Sequence, residues 1–185
     1  MKWLKWIGIV LAALLILPVV TLLALGLRKD AGHLHESIEI AASPQQLWPW
    51  LEDGDKLKQW VSWLVEVQVP DPSLHGVGSS HVWVMKDENN GGMLMRIVAK
   101  NREYAPPSHL ILEISSPDGE FTGENVYELV DLGNGRTRLD MDSRYHLSNW
   151  FANLMEPVVT PAARKKMVAD AARLKSIVES KAEAR

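Results

Sequence analysis

The strongest constraint in this sequence is the apolar stretch from Trp6 to Leu27, which contains no charged residue over 22 positions. As an α-helix with a rise of ~1.5 Å per residue it would be ~33 Å long, close to the thickness of the hydrocarbon core of a bilayer. Trp3 and Trp6 lie where aromatic side chains favour the membrane interface. The stretch is typical of a membrane-spanning helix and predicts an N-terminal transmembrane anchor over residues 1–29.

A cleaved signal peptide is the alternative interpretation, because Ala24 and Gly26 form a small-x-small site just before Leu27. The apolar core of a signal peptide is typically ~7–15 residues long. This stretch is longer, which favours a retained anchor.

Two basic residues flank each end of the stretch, Lys2 and Lys5 before it and Arg28 and Lys29 after it. The charge difference that normally fixes orientation is therefore small. A short basic leader usually stays in the cytoplasm, so we expect a single-pass protein whose domain is extracytoplasmic, and periplasmic in a Gram-negative bacterium. The linker from Asp30 to Gly32 is short, and five residues after Arg28 span at most about 17 Å, which keeps the domain close to the lipid.

Residues 30–185 have the length of one domain with one core. They carry 16 of the 20 Lys and Arg residues and all 23 Asp and Glu residues, a formal charge of −7. This acidic balance argues against nucleic-acid binding, which needs a basic face. The chain has no cysteine, and it shows no Ser-His-Asp spacing, glycine-rich nucleotide loop or HExxH motif. No cofactor is expected.

The first elements of the domain follow the linker directly. Residues 33–41 alternate between polar and apolar side chains, which predicts a strand. Ser43-Pro44-Gln45-Gln46 has the form of an N-cap, a proline at the first helical position and a capping-box glutamine. Pro49 keeps this helix short, Asp53-Gly54-Asp55 ends it, and a second short helix is expected from Lys56 to Trp60.

Six further segments have the two-residue period of a β-strand and are separated by Gly, Pro and Asn turns. They are residues 63–69, 80–86, 93–102, 110–114, 121–129 and 138–146. In the first of them, one face is expected to carry Trp63, Val65, Val67 and Val69.

From Ser148 the apolar period becomes helical. The final stripe of this helix contains Met167, Val168, Ala171, Leu174 and Val178. Pro157 and Pro161 are expected to interrupt the helix, with Thr160 as the cap of its second part. One strand, two short helices, six antiparallel strands and a long final helix predict an α+β fold.

Several segments, in this order, carry a family resemblance. They are SIEIAASPQQLWPWLED, the LHGVGS before a strand ending in VW, GGMLMRIV with a proline after it, EFTGENVYEL, and GNGRTRLDM before the last helix. Residues 32–182 thereby resemble the helix-grip superfamily of START-like domains, in particular the polyketide cyclase/dehydrase and lipid-transport group. The resemblance implies a curved antiparallel sheet around the C-terminal helix, with a cavity between them. It also implies an apolar ligand, since members bind lipids, sterols or polyketides and a minority are enzymes.

Strand parity and the helical stripe assign side chains to that cavity. The candidate ligand-binding residues are Trp83, Met85, Met93, Met95, Phe121, Tyr127, Met141, Tyr145, Trp150, Phe151 and Met155. Methionine is flexible and polarisable, which suits a pocket that adapts to apolar shapes. The alternative for each residue is ordinary core packing.

Candidate chemistry is sparse. His33 and His35 share a strand face at the spacing of two metal ligands, but no third ligand is evident and a solvated face is the better interpretation, so no metal is expected. His81 has the parity of the cavity face and is a weak acid–base candidate. Glu36 shares that inward parity and is the second weak candidate, as an inward carboxylate that could pair with His81.

The sequence therefore predicts a membrane-anchored binding domain for an apolar small molecule or lipid, without catalysis. The first alternative is a cyclase- or dehydratase-type enzyme that uses His81 and Glu36. The second is a non-catalytic module that contacts a protein partner in the cell envelope.

Overall fold

The computed structural model describes residues 2–26, 32–87 and 91–183. The elements in chain order are α1 (Lys2–Gly26), β1 (Gly32–Ile40), α2 (Pro44–Leu47), α3 (Pro49–Glu52), α4 (Gly54–Trp60), β2 (Leu64–Gln68), β3 (Ser80–Asp87), β4 (Met93–Ala105), β5 (His109–Ser115), β6 (Phe121–Gly133), β7 (Arg136–Leu147) and α5 (Trp150–Glu183). Asp30 and Ala31 of the predicted linker lie outside the described residues, and Gly32 is the first residue of β1.

The seven strands form one antiparallel sheet in the order β1-β7-β6-β5-β4-β3-β2. Consecutive strands from β2 to β7 are neighbours, and β1 pairs with β7, so β1 and β2 occupy opposite edges. The helices α2, α3 and α4 connect those two edges. The inner face of the sheet packs on α5, and Ile40, Leu139 and Leu174 are fully buried between them. The predicted α+β class is confirmed, with the curved antiparallel sheet and long final helix of a helix-grip fold.

The start of α2 follows from its local sequence. Ser43 Oγ accepts a hydrogen bond from Gln46 N at 3.4 Å, and Gln46 Oε1 accepts one from Ser43 N at 2.9 Å, which confirms the predicted capping box. The number of helices differs from the prediction. Pro49 begins a separate helix, α3, and Asp53 Oδ1 accepts from Asp55 N at 2.8 Å, so the acidic turn that was expected to end a helix begins α4 instead.

The face assignment of β2 was partly wrong. Its pairing with β3 shifts between Leu64 and Glu66, as at a β-bulge, so that Leu64 is buried and Val65 is 48% exposed. Val67 pairs with Trp83 and packs against the core. A bulge inserts one residue and inverts the strand parity before it, which alternation alone does not reveal.

The interruption predicted in the final helix does not occur, because α5 runs through Pro157 and Pro161. Thr160, expected to be a cap, instead bonds to the Tyr145 hydroxyl at 2.5 Å and to Glu156 Oε1 at 2.6 Å. The actual cap is Asn149, whose Oδ1 accepts from Phe151 N at 2.9 Å. The bond from Thr160 to Tyr145 joins the first half of α5 to β7, and the helix continues there although Pro157 and Pro161 have no backbone N–H to donate.

The N-terminal helix α1 lies against α5. Across the part of the chain that the structure describes, no helix combines the length and the apolarity needed to cross a membrane.

Candidate functional site

A cavity of about 120 Å³ lies between the inner face of the sheet, α4 and α5. Its walls are largely apolar, and they consist of Leu34, Leu57, Trp60, Val61, Trp63, Leu64, Trp83, Met85, Asn125, Val126, Tyr127, Met141, Asp142, Ser143, Ala163, Met167 and Asp170. The sites of drug-sized ligands typically enclose ~300–1,000 Å³. The cavity beneath α5 is therefore smaller than the family resemblance implied.

Four of the eleven predicted ligand-binding residues line this cavity: Trp83, Met85, Tyr127 and Met141. The other seven do not, and they are Met93, Met95, Phe121, Tyr145, Trp150, Phe151 and Met155. Each of the four lies on β3, β6 or β7, where the strand is covered by α5 or α4. Parity located them because those strands are regular over this part of the sheet.

The seven others lie toward one end of the sheet. β5 ends at Ser115, which pairs with Val98, so the start of β4 projects beyond it and Met93 is 64% exposed. Phe121 and Tyr145 stack on each other with ring centroids 5.9 Å apart. Trp150, Phe151 and Met155 occupy the first turns of α5 and are exposed. Strand parity predicts which face of the sheet a side chain lies on. It does not predict how much of that face α4 and α5 cover.

Sequence reasoning did not identify the walls that the helices contribute. Leu57 and Trp60 reach the cavity from α4, whose position over the sheet has no local sequence signal. Ala163, Met167 and Asp170 reach it from α5. The sequence placed Met167 on the apolar stripe of the final helix but not among the ligand-binding residues, and it placed Ala163 and Asp170 in neither set, although their i, i+4, i+7 spacing indicates a common face.

Several polar groups of the cavity wall are hydrogen-bonded, either to one another or to the neighbouring backbone. Ser143 Oγ donates to Asn125 Oδ1 at 2.7 Å. Both carboxylate oxygens of Asp170 accept from Ser62 N at 3.2 Å. Burial raises the pKa of the Asp170 carboxyl, although the bond from Ser62 and the charges of nearby Arg173 and Lys166 act in the opposite direction.

Tyr127 supplies a buried phenol. Burial raises the pKa of Tyr127 to about 12, and a hydrogen bond with Asn125 opposes the shift. The phenol therefore remains protonated at neutral pH and serves as a neutral hydrogen-bonding group.

The sequence-based pairing of His81 with Glu36 does not occur. His81 is on β3 and Glu36 is on β1, and four strands separate them in the sheet. At ~4.8 Å per strand the two positions are ~24 Å apart along the sheet. Neither side chain lines the cavity beneath α5. The structure therefore does not assemble the acid–base pair that the enzyme alternative required.

The carboxylate whose charge affects the pKa of His81 is that of Glu52, at the end of α3. Glu52 Oε2 accepts from Trp48 Nε1 at 2.8 Å and from the Tyr104 hydroxyl at 2.6 Å. Burial lowers the pKa of His81, and the charge of Glu52 opposes that shift. This cluster joins α3 to the sheet and lies outside the cavity.

Replacing Glu52 with glutamine is expected to lower the pKa of His81 further below its ordinary value of 6.5, because the substitution removes the negative charge that opposes burial. A lowered native pKa means that the unfolded state binds the proton first, so the contribution of His81 to stability is lost as the pH falls from 6.5 through the native pKa. An NMR titration of the His81 ring checks this. The control is Glu39→Gln on β1, at the opposite edge of the sheet, and an equal shift in both variants would contradict the assignment.

His33 and His35 lie on the outer face of β1, as predicted, and are about half exposed. His33 Nε2 lies 2.6 Å from Asp142 Oδ2, and His35 Nδ1 lies 3.7 Å from the same oxygen. Within the described ranges, no group of three or more His, Asp or Glu side chains is arranged to hold a metal ion.

A larger groove of about 920 Å³ opens on the outer face of the sheet. Charged side chains of both signs line it, among them Lys100, Arg102, Glu113, Glu124 and Arg144, and Arg102 forms an ion pair with Glu124. Such a surface stays hydrated and does not favour an apolar ligand. The cavity beneath α5 is therefore the better candidate site.

Solved structures with the same fold are known from several bacteria. A protein from Thermus thermophilus is 18% identical, with a TM-score of 0.64 over 81% of this chain and 99% of its own. A conserved protein from Geobacillus kaustophilus is 13% identical, with a TM-score of 0.65 over 80% and 95%. A protein of unknown function from Staphylococcus aureus is 16% identical, with a TM-score of 0.61 over 82% and 97%. At these identities the likeness shows the fold alone.

None of the curated proteins matches this chain. The family model described as polyketide cyclase/dehydrase and lipid transport matches residues 31–179, which include all seven strands and most of α5. With the sheet, the helix and the apolar cavity between them, this match shows that the chain belongs to the polyketide cyclase/dehydrase and lipid-transport family.

Proposed function

We propose that this protein binds an apolar small molecule or a lipid in the cavity between the sheet and α5. The observation that carries the proposal is the cavity itself, whose walls are apolar apart from a few hydrogen-bonded groups. The lining includes the flexible side chains of Met85 and Met167, which can adapt to ligands of different shape. A volume of 120 Å³ corresponds to about four water molecules at ~30 Å³ each, so it suits a compact group or one end of a longer ligand.

The test is to purify the full-length protein from its native host, extract it with organic solvent and identify the released compounds by mass spectrometry. One apolar compound at near-stoichiometric amount is the expected result. A protein free of such a compound, and unable to take one up from a lipid extract, would refute the proposal.

We further propose that residues 1–29 form a membrane anchor and that the domain, residues 30–185, is extracytoplasmic. The support for an anchor comes from the uncharged stretch Trp6 to Leu27 in the sequence and from the exposed apolar side chains of α1, such as Leu15 at 72% and Leu17 at 69%, whereas none of the described helices combines the length and apolarity needed to cross a membrane. The basic leader supports the orientation.

The anchor would bring one end of the domain close to the membrane, the end at which β1 and α5 begin. β1 begins at Gly32, which pairs with Tyr145 near the end of β7, and α5 begins three residues after that strand ends. The chain therefore enters the domain at the end that carries the exposed side chains of Trp150 and Phe151. Aromatic side chains are favoured at the membrane interface, so this end would face the lipid.

Replacing both Leu15 and Leu17 with arginine is expected to release the protein from the membrane fraction, because each charge costs about 2.5–3.5 kcal/mol at the centre of a spanning helix. Sodium carbonate extraction followed by immunoblotting measures the release. The matched control, Val65→Arg and Val69→Arg, places two charges at exposed positions of the domain. If both double variants remain in the membrane to the same extent, α1 is not the anchor.

A further inference from the structure

The cavity reaches the protein surface where α5 contacts the turn between α4 and β2, residues 61–63. Val61 and Trp63 line the cavity from this turn, and Asp170 lines it from α5. Ser62, between the two lining residues of the turn, is exposed to solvent, whereas Asp170 is only 5% exposed. The contact between Ser62 and Asp170 therefore has solvent on one side and the cavity on the other.

Two polar contacts hold α5 to this turn. Both carboxylate oxygens of Asp170 accept from Ser62 N at 3.2 Å. One helical turn earlier, Lys166 Nζ lies over the ring of Trp63, 4.8 Å from its centroid, in the arrangement of a cation–π interaction. Residues 163, 166 and 170 lie on one face of the helix because of their i, i+3, i+7 spacing. Both contacts therefore come from the face of α5 that also borders the cavity.

The turn has hydrogen bonds of its own that do not involve α5. Val61 N donates to the Leu57 carbonyl oxygen at 2.9 Å, Leu64 N donates to the Val61 carbonyl oxygen at 3.2 Å, and Lys86 N donates to the Trp63 carbonyl oxygen at 2.8 Å. These bonds tie the turn to α4 and β3. They can remain intact when the contacts with α5 break, so a separation at this place is local and does not require unfolding of the sheet.

On its other side, α5 is joined to β7 by the bond between Thr160 and the Tyr145 hydroxyl. Neither of these two residues lines the cavity. Breaking their bond would therefore not open the cavity wall directly, whereas breaking the contact between Asp170 and Ser62 would.

We propose that the turn 61–63 and the facing part of α5 form the entrance of the cavity, and that the contacts of Asp170 with Ser62 and of Lys166 with Trp63 keep this entrance closed. The inference rests on the proposed function and adds to it the control of ligand entry and release. When both contacts break, the turn and α5 separate and the cavity opens to solvent between Trp63 and Asp170. The rate of ligand exchange is then set by two polar contacts near the surface.

The absence of cysteine from the chain allows a test that needs no ligand. Met141→Cys places a single thiol on the cavity wall, at a position that is 3% exposed. Its reaction with methyl methanethiosulfonate, a small neutral reagent, is followed by mass spectrometry of the intact full-length protein. At low reagent concentration the entrance closes faster than the thiol reacts, so the labelling rate measures the population of the open form.

Asp170→Leu removes both acceptors and keeps an apolar side chain of similar length. It is expected to raise the labelling rate about ten- to hundredfold, the usual net effect of a hydrogen bond to a charged group. Asp170→Asn keeps one neutral acceptor and is expected to give a smaller increase. Lys166→Met is expected to raise the rate about two- to fivefold, as for a cation–π contact near the surface. The matched control, Lys165→Met, changes an exposed lysine of the same helix and is expected to leave the rate unchanged.

Leu139→Cys gives the reference for global unfolding, because Leu139 is fully buried and does not line the cavity. If Asp170→Leu accelerates labelling equally at both thiol positions, it destabilises the whole domain and the inference is wrong. The inference is also wrong if neither Asp170 variant changes the labelling of Met141→Cys, or if Thr160→Val, which breaks the bond to Tyr145, changes it more. The proposed function is tested separately, because solvent extraction detects a bound compound whichever entrance it uses.

Discussion

Replacing Leu174 with alanine is expected to lower the free energy of unfolding by about 2–5 kcal/mol. Leu174 is fully buried on the face of α5 that packs on the sheet, in the same core cluster as Ile40 and Leu139. The substitution removes apolar contacts and leaves a cavity that the surrounding sheet cannot close. For a chain of this length, each kcal/mol lowers the melting temperature by roughly 2–4 °C.

Val168→Ala is the matched control, because Val168 is on the same helix and is 44% exposed. Its effect is expected to stay within about 0.5 kcal/mol. Urea unfolding followed by circular dichroism gives both values. If both variants lower the free energy of unfolding by similar amounts, the packing of α5 on the sheet does not depend on the face that carries Leu174.

The start of α2 shows what the sequence specifies locally. A capping box needs only Ser43, Pro44 and Gln46 in one turn of chain, so the pattern and the structure agree. The alternation of β1 is equally local, since Leu34 and Ile40 are buried while His33 and His35 are not. Features of this kind depend on neighbours within a few residues, and the sequence predicts them well.

Other features depend on distant parts of the chain. Whether Pro157 ends a helix depends on tertiary contacts of the turn that follows it. In this structure Thr160, in that turn, forms a hydrogen bond with Tyr145 on β7, and α5 continues. Whether Met93 lines a cavity depends on where β5 ends, which is set by pairing and not by the sequence of β4. The pairing of His81 with Glu36 failed for the same reason, because parity contains no information on strand order. Four cavity residues were therefore predictable from their strands, and the contributions of α4 and α5 were not.

Replacing Met167 with tryptophan is expected to abolish retention of the bound apolar compound, with a loss of at least about tenfold in the amount extracted per protein. Met167 lines the cavity from α5 opposite Trp83 and Met141 on the sheet. The indole is larger and stiffer than the methionine side chain, and in a cavity of about 120 Å³ it occupies space that the ligand needs. Mass spectrometry of the solvent extract, normalised to protein, measures the loss.

The control for this variant is Val168→Trp, which introduces the same side chain one position away, where the wild-type residue is exposed. It is expected to retain the compound at the wild-type level. Overpacking of Met167→Trp typically costs about 1–3 kcal/mol, so thermal unfolding must show that both variants are folded before the extracts are compared.

The pair of variants distinguishes the cavity from the rest of the molecule. An apolar compound adsorbed on the exposed side chains of Trp150, Phe151 or Met93 would be retained equally by both variants, because neither substitution touches that end of the domain. A compound in the outer groove would also be retained, since Lys100 and Arg144 line that groove and Met167 does not. Only a ligand between the sheet and α5 is displaced by Met167→Trp and kept by Val168→Trp, so equal retention would contradict the proposed site.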